Sequence, residues 1–282
     1  MTSRSRPWHL RARVFLAHSL TLPLHRFFNR FPHWELGLAR AQVSKIQCRH
    51  PALAGRRAIH LSDLHLDRYR PRHDDVLNLV AGLKPDWIFV TGDLLNVADG
   101  LPHLFRFLAG LRSLAPVYFT LGNHDHHSGV SAHRFGELAD RHKLQLLMNQ
   151  VAFVPMQGGE LAIVGVDDPS THRDDLRCVP PRHPDRFTIL LAHAASVLER
   201  LDERHALNLV LCGHSHGGQW RIPRVRPFWL PYGCNGVTEG HARRNGHQLY
   251  VNRGLGWSVL PIRWSCPPEI VLIEWEDETE EG

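Results

Sequence analysis

From Arg57 onward, short apolar runs alternate with stretches whose apolar positions recur every three to four residues. The runs "RRAIHLS", "DWIFVTG", "PVYFTLG", "RFTILLA" and "ALNLVLCG" are rich in β-branched and aromatic residues and end in turn formers, which predicts strands. Between the early runs, helical spacing predicts helices near Asp74–Leu83, Leu101–Leu111 and Val130–Arg141. Such alternation is the mark of β-α-β units. Two further runs, "LAIVGV" and "YVNRGLGW", and a last strand near Glu269–Ile273 exceed what one doubly wound layer needs. Two facing sheets flanked by helices would use them. The closing "EWEDETEEG" reads as a solvated acidic tail.

Before this rhythm lies a different stretch. Leu16, Leu20, Leu24, Phe27 or Phe28, and Phe31 recur at helical spacing, with Arg26, Asn29, Arg30 and His33 largely between them. Pro23 should end or kink the first helix. A basic amphipathic helix can lie in a membrane interface, or its apolar stripe can pack on the body. Both readings stand, and the chain divides into an arm, residues 1–40, and a body, residues 41–282. The most apolar piece, "VFLAHSLTLPL", is too short to span a bilayer and holds His18 and Pro23. Arginines precede it, but no small-x-small cleavage pattern follows, which argues against a signal peptide.

Charge sharpens that division. The net charge of +5 conceals eleven Lys or Arg against one acid, Glu35, in residues 1–60, and 22 basic against 27 acidic residues in the remainder. The basic arm suits an anionic partner, whereas the mildly acidic body argues against a nuclease and leaves no nucleic-acid partner expected. Five dispersed cysteines without a CxxC pair exclude a disulfide scaffold and a thiolate zinc site, and fit a reducing compartment. The expectation is a cytoplasmic protein whose arm can rest on the inner face of the cytoplasmic membrane.

Candidate chemistry follows the strands. Each of the five main runs is followed directly by metal-type donors: Asp63 and His65, Asp93, Asn123 and His124, His193, then His214 and His216. Open α/β sheets place their sites beyond the carboxyl ends of the strands. With 22 histidines in the chain, one such residue would mean little, because a polar residue after a strand is usually a turn former. All five segments in order point to a site. Carboxylate, amide and imidazole donors suit Mn²⁺, Fe²⁺ or Zn²⁺, and one shared Asp makes enough contacts for two ions. A two-metal site clamps a phosphoryl group and activates water.

The pattern Asp63-Leu64-His65, Gly92-Asp93, Gly122-Asn123-His124-Asp125, His193 and Gly213-His214-Ser215-His216 resembles the calcineurin-like metallophosphoesterases. The resemblance runs from about Ala41 to the C-terminal strand. It implies an α/β fold of four layers, an α-β-β-α sandwich with two facing mixed sheets flanked by helices. It also implies one metal held by Asp63, His65, Asp93 and His216, a second held by Asp93, Asn123, His193 and His214, and His124 off the metals as catalytic acid or charge stabiliser. The two divalent transition metal ions would be Mn, Fe or Zn, with Mn favoured. "GHSHGGQ" and "YVNRGLG" look like a bacterial branch, often membrane-tethered, that includes UDP-2,3-diacylglucosamine pyrophosphatase-type enzymes.

One position departs from that family. Many members carry a second Asp, three residues after the bridging one, that pairs with the catalytic His; here it is Asn96. A neutral amide stabilises imidazolium less than a carboxylate does, so a lower His124 pKa is expected. His126 and His127 extend the loop, and Asp167 and Asp168 open a long loop with Arg173, Arg177 and Arg182, any of which could meet substrate or stay solvated. Arg253 in "VNRG" is a candidate phosphate contact. The function expected is metal-dependent hydrolysis of a phosphodiester or pyrophosphate, with a lipid-linked sugar nucleotide such as UDP-2,3-diacylglucosamine as substrate. The alternatives are a soluble phosphodiesterase acting on nucleotides and a catalytically inactive scaffold of the same fold.

Overall fold

The computed structural model describes residues 40–222, 224–225, 227 and 230–277, with Phe27 and Leu38. The helical stripe of the arm falls outside the described residues apart from Phe27. The strands run β1 Gln42–Arg49, β2 Arg57–Leu61, β3 Trp87–Thr91, β4 Val117–Thr120, β5 Gln145–Leu146, β6 Gln150–Met156, β7 Gly159–Gly165, β8 Arg186–Leu191, β9 Leu209–Cys212, β10 Gly240–Arg244, β11 His247–Val251 and β12 Glu269–Glu276. The α-helices are α1 Pro71–Leu83, α2 Leu101–Arg112, the short α3 Asn123–His127, and α4 Ala132–Arg141.

Two mixed sheets of six strands result, ordered β1-β12-β2-β3-β4-β5 and β10-β11-β9-β8-β7-β6. The central strands are parallel: β2 to β5 in the first sheet, and β7, β8, β9 and β11 in the second. Strands inside parallel layers are buried on both faces, which is why "WIFVT" is apolar almost throughout and buried at every position. Their carboxyl ends form one edge. Because β12 is antiparallel to β2 and parallel to β1, the starts of β12 and β1 lie at that same edge.

Each core layer has a clear cause. Val76 and Val80 of α1, Phe107 and Leu111 of α2 and Phe135 of α4 cover the outer face of the first sheet against Ile59, Val90 and Phe119. Trp87, Phe89 and Trp275 meet Phe187, Ile189 and Leu211 between the sheets. The outer face of the second sheet packs under Ala195, Val197 and Leu198 of a 3-10 turn.

The predicted strands and helices are present, with three differences. "YVNRGLGW" is a strand only through Val251, since Asn252 and the glycines that follow turn the chain. α1 starts earlier, at Pro71, whose fixed φ suits a first helical position. The acidic end is not all tail: β12 continues to Glu276, and Trp275 is buried, its ring edge-on to Trp87 at 6.1 Å and to Phe187 at 5.7 Å. All five cysteines are free, and Cys212 is a core residue. No helix among the described residues is long and apolar enough to cross a membrane. Trp275 joins the two sheets, so Trp275→Ala should cost about 3–5 kcal/mol in urea unfolding. A loss below ~1 kcal/mol would show that the inter-sheet joint does not depend on it.

Candidate metal centre

The strand ends deliver the polar residues by turning sharply. Asp63, His65, Asp93, His214 and His216 all hold positive φ, between 42° and 70°. That conformation costs a non-glycine residue on the order of 1–3 kcal/mol and persists only where its surroundings enforce it. Two neighbouring glycines make the crowding possible. A Cβ on Gly122 would stand 2.3 Å from Asp93 Oδ1, and one on Gly213 would stand 1.8 Å from Ser62 Oγ. The motif glycines are there because the Asp93 carboxylate and the Ser62 hydroxyl occupy the space a side chain would need.

Two groups of donors result. Asp63, His65, Asp93 and His216 form one, and Asp93, His193 and His214 the other; in each, one ligand atom per residue lies within 4.8 Å of all the rest. His65 Nε2 is 3.1 Å from His216 Nε2 and 3.8 Å from Asp93 Oδ2. His216 Nε2 is 3.4 Å from Asp63 Oδ1. In the second group His193 Nε2 is 3.2 Å from Asp93 Oδ2 and 3.0 Å from His214 Nδ1. Both groups are buried.

The outer nitrogens fix which lone pairs point inward. His193 Nδ1 donates to Thr91 O at 2.9 Å, and His214 Nε2 donates to Tyr232 O at 2.7 Å. His65 Nδ1 meets Asn96 Oδ1 at 2.8 Å. Asp67 sets that amide's orientation, because its Oδ2 accepts from Asn96 Nδ2 at 3.0 Å and its Oδ1 from Asn96 N at 2.7 Å. His65 and His214 therefore turn an unprotonated nitrogen towards the other site residues, the arrangement that metal-ligating histidines use, and the inward Nε2 of His193 faces Asp93. His216 is the exception: its Nδ1 faces Arg263 Nη2 at 3.3 Å. Asn123 Oδ1, which the family resemblance assigns to the second group, is buried without a hydrogen-bond donor among the described residues. An orphaned buried acceptor costs about 1–3 kcal/mol. Converging lone pairs, carboxylates and an orphaned amide oxygen fit two divalent cations.

Electrostatics agree. Burial and the Asp93 carboxylate raise the Asp63 carboxyl to about 6, against the pull of His193. Burial would lower His193, but the Asp93 carboxylate overrides it and raises the imidazole to about 10. The metal-free chain thus holds a proton where a cation would sit.

Comparison with known proteins decides the family. The family model described as calcineurin-like phosphoesterase matches residues 56–218, more than half of the chain. The chain belongs to the calcineurin-like phosphoesterase family. It is 31% identical over 225 residues to the uncharacterized metallophosphoesterase YkuE of Bacillus subtilis, covering 77% of this chain and 78% of that one. It is 29% identical over 223 residues to the phosphodiesterase YaeI of Escherichia coli, covering 77% and 80%. As a member of this family it is a metal-dependent phosphoester hydrolase.

The remaining expected residues fall as follows. His124 sits beside the first group, its ring edge-on to His65 at 4.9 Å and its backbone N–H on Asp93 Oδ1 at 2.8 Å. His126 Nε2 pairs with Asp167 Oδ1 at 2.6 Å, tying the loops of the two sheets. Asp168 accepts from Ser170 and Thr171, and Arg177 pairs with Asp175. The Arg253 guanidinium is held among carboxylates, Nη2 3.3 Å from Glu269 Oε1 and Nε 3.7 Å from Glu239 Oε2. Asn96 serves His65, a contact the family resemblance did not suggest. Three buried supports were given no role by the sequence reading. Asp67 orients Asn96. Asp125 accepts N–H bonds from Leu94, Leu95 and Gly122. Asn252 Oδ1 accepts Gly254 N while its Nδ2 donates to His60 O.

A cation on His193 must displace its proton, so metal affinity should rise with pH, about tenfold per unit for one proton, until the pH approaches 10. The sign is opposite for the metal-free chain, where the His193–Asp93 pair stabilises fully below about 6.5 and is lost as pH rises through about 10. Calorimetric Mn²⁺ titrations at several pH values measure this, and an affinity flat between pH 6 and 9 would contradict it.

Proposed function

We propose that this chain hydrolyses a phosphodiester or pyrophosphate bond at a pair of metal ions. In this reading Asp63, His65, Asp93 and His216 hold one ion, and Asp93, Asn123, His193 and His214 the other. One observation carries it: Asp93 Oδ2 stands 3.8 Å from His65 Nε2 and 3.2 Å from His193 Nε2, so a single carboxylate serves both groups. When bound, two such ions supply the Lewis acidity that activates water and offsets phosphoryl charge. Asp, Asn and His donors without thiolate suit manganese, iron or zinc, and manganese is the ion chosen for assay.

The chain's own groups supply the rest. His124, anchored through its backbone to Asp93 and packed on His65, is the proposed proton donor to the leaving oxygen. Asn96 and Asp67 keep the His65 tautomer fixed, so that its Nε2 stays unprotonated. Arg253, beside Glu239 and Glu269, is kept as the candidate phosphate contact. The relative named a phosphodiesterase supports a diester over a monoester. A lipid-linked substrate such as UDP-2,3-diacylglucosamine draws its support from the arm, whose charge favours an anionic surface. A soluble nucleotide diester is the competing substrate, and a screen of monoesters, diesters and pyrophosphate-linked lipids with Mn²⁺ decides between them.

Two outcomes follow. His124→Ala should lower kcat by about 100-fold or more on an alkyl diester and far less on a p-nitrophenyl diester, whose leaving group needs no proton. Equal losses on both would remove the acid role. Deleting residues 1–36 should weaken binding to anionic vesicles while leaving Mn²⁺-dependent turnover of a soluble diester intact, and unchanged vesicle binding would refute the membrane reading of the arm.

A further inference from the structure

The four most exposed large apolar side chains among the described residues are Trp264 (67%), Ile222 (64%), Val225 (55%) and Tyr232 (50%). They are not scattered. Ile222, Val225 and Tyr232 lie on the segment that leaves the His214–His216 turn, and Trp264 lies on the segment that enters β12. Both segments start from the edge that carries the metal centre, since β9 ends there and β12 begins there. They touch the centre directly: Tyr232 O accepts from His214 Nε2 at 2.7 Å, and Cys266 Sγ donates to His216 O at 3.2 Å.

The exposure is built into the fold. Trp264 N donates to Gln219 O at 3.0 Å, and Arg221 N donates to Trp264 O at 3.0 Å, closing a bridge between the two segments. Gln219 Nε2 adds bonds to Ser258 O and Leu260 O at 2.9 Å each. An indole on so well-pinned a backbone is presented outward by design of the surrounding bonds. Exposed apolar side chains gathered on two bridged segments mark an interaction site.

Charge selects the partner. Arg221 and Arg224 alternate with Ile222 and Val225. Arg221 pairs with Glu239, whereas Arg224 makes no ion pair among the described residues. Trp and Tyr beside aliphatic side chains and arginine match the headgroup layer of a bilayer, with rings at the interface and guanidinium on phosphate. A second feature points the same way. β1 begins at this edge, with Gln42 Oε1 3.4 Å from Arg253 Nη2, so the basic arm joins the body beside the metal centre. Stable peripheral attachment takes two such signals.

We propose that the segments bearing Ile222, Val225, Tyr232 and Trp264 form a bilayer-contacting surface that seats the metal centre at the headgroups of an anionic membrane. The docking stands by itself. Only its corollary, that the substrate is a phosphodiester or pyrophosphate carried by a lipid, rests on the hydrolase reading above.

The test compares the full chain with Trp264→Ala and with the double variant Ile222→Ser, Val225→Ser. Each is sedimented with vesicles of equal parts phosphatidylglycerol and phosphatidylcholine, and with phosphatidylcholine alone. Each is also assayed on soluble bis(p-nitrophenyl) phosphate with Mn²⁺. The expected result is a loss of about tenfold or more in partition to the anionic vesicles for both variants, with soluble turnover within about twofold. Unchanged partition in the double variant, whose side chains are too exposed to support folding, overturns the proposal. So does a wild-type dimer, seen by sedimentation velocity, that the variants disperse without altering vesicle binding, since the surface would then join two copies of the chain. A wild-type chain without turnover of the diester would sink the hydrolase reading and leave the partition result to decide the docking.

Discussion

Two buried carboxylates, Asp63 and Asp93, sit beside four buried imidazoles whose ring nitrogens converge on the same space. This convergence is the constraint on which the rest of the structure depends. Without cations it is an unfavourable arrangement: burial raises Asp63, and Asp93 keeps a proton on His193. Two dications reverse the local balance, because each carboxylate and each lone pair then gains a partner. A site that is costly when empty and satisfied when loaded is what a tightly bound dinuclear centre requires.

The fold holds this arrangement by covalent and steric means. Parallel strands in both sheets end at one edge, so five sequence-distant segments arrive together. Positive φ at Asp63, His65, Asp93, His214 and His216 turns those side chains inward. Gly122 and Gly213 leave room for Asp93 and for Ser62 and Asp63. Behind them Asp125 ties three backbone N–H groups of two loops, and Asn252 links the turn after β11 to β2. Strain at the donors is thus offset by hydrogen bonds one layer out.

The donors were legible in the sequence because each follows a strand directly, so a one-dimensional pattern already carried the three-dimensional edge. The interior strands were legible for a related reason: burial on both faces leaves an unbroken apolar run. Edge strands were not. In β1 only Ile46 and Cys48 are buried apolar positions, and β10 is "GHARR". Trp275 was hidden by the acids around it. Asp67, Asn252 and Arg263 act on partners that no local spacing reveals: Asp67 meets Asn96 across 29 residues, and Arg263 meets His216 across 47. The apolar and basic segments beside the site carry no periodicity, and their meaning emerged only from exposure and placement.

The central claim is that one carboxylate joins two ions. A crystal structure of the chain grown with Mn²⁺, using anomalous scattering to locate the metal, tests it directly. The account predicts two peaks about 3.5–4 Å apart with Asp93 bound to both. A single peak, or two that do not share Asp93, would contradict it.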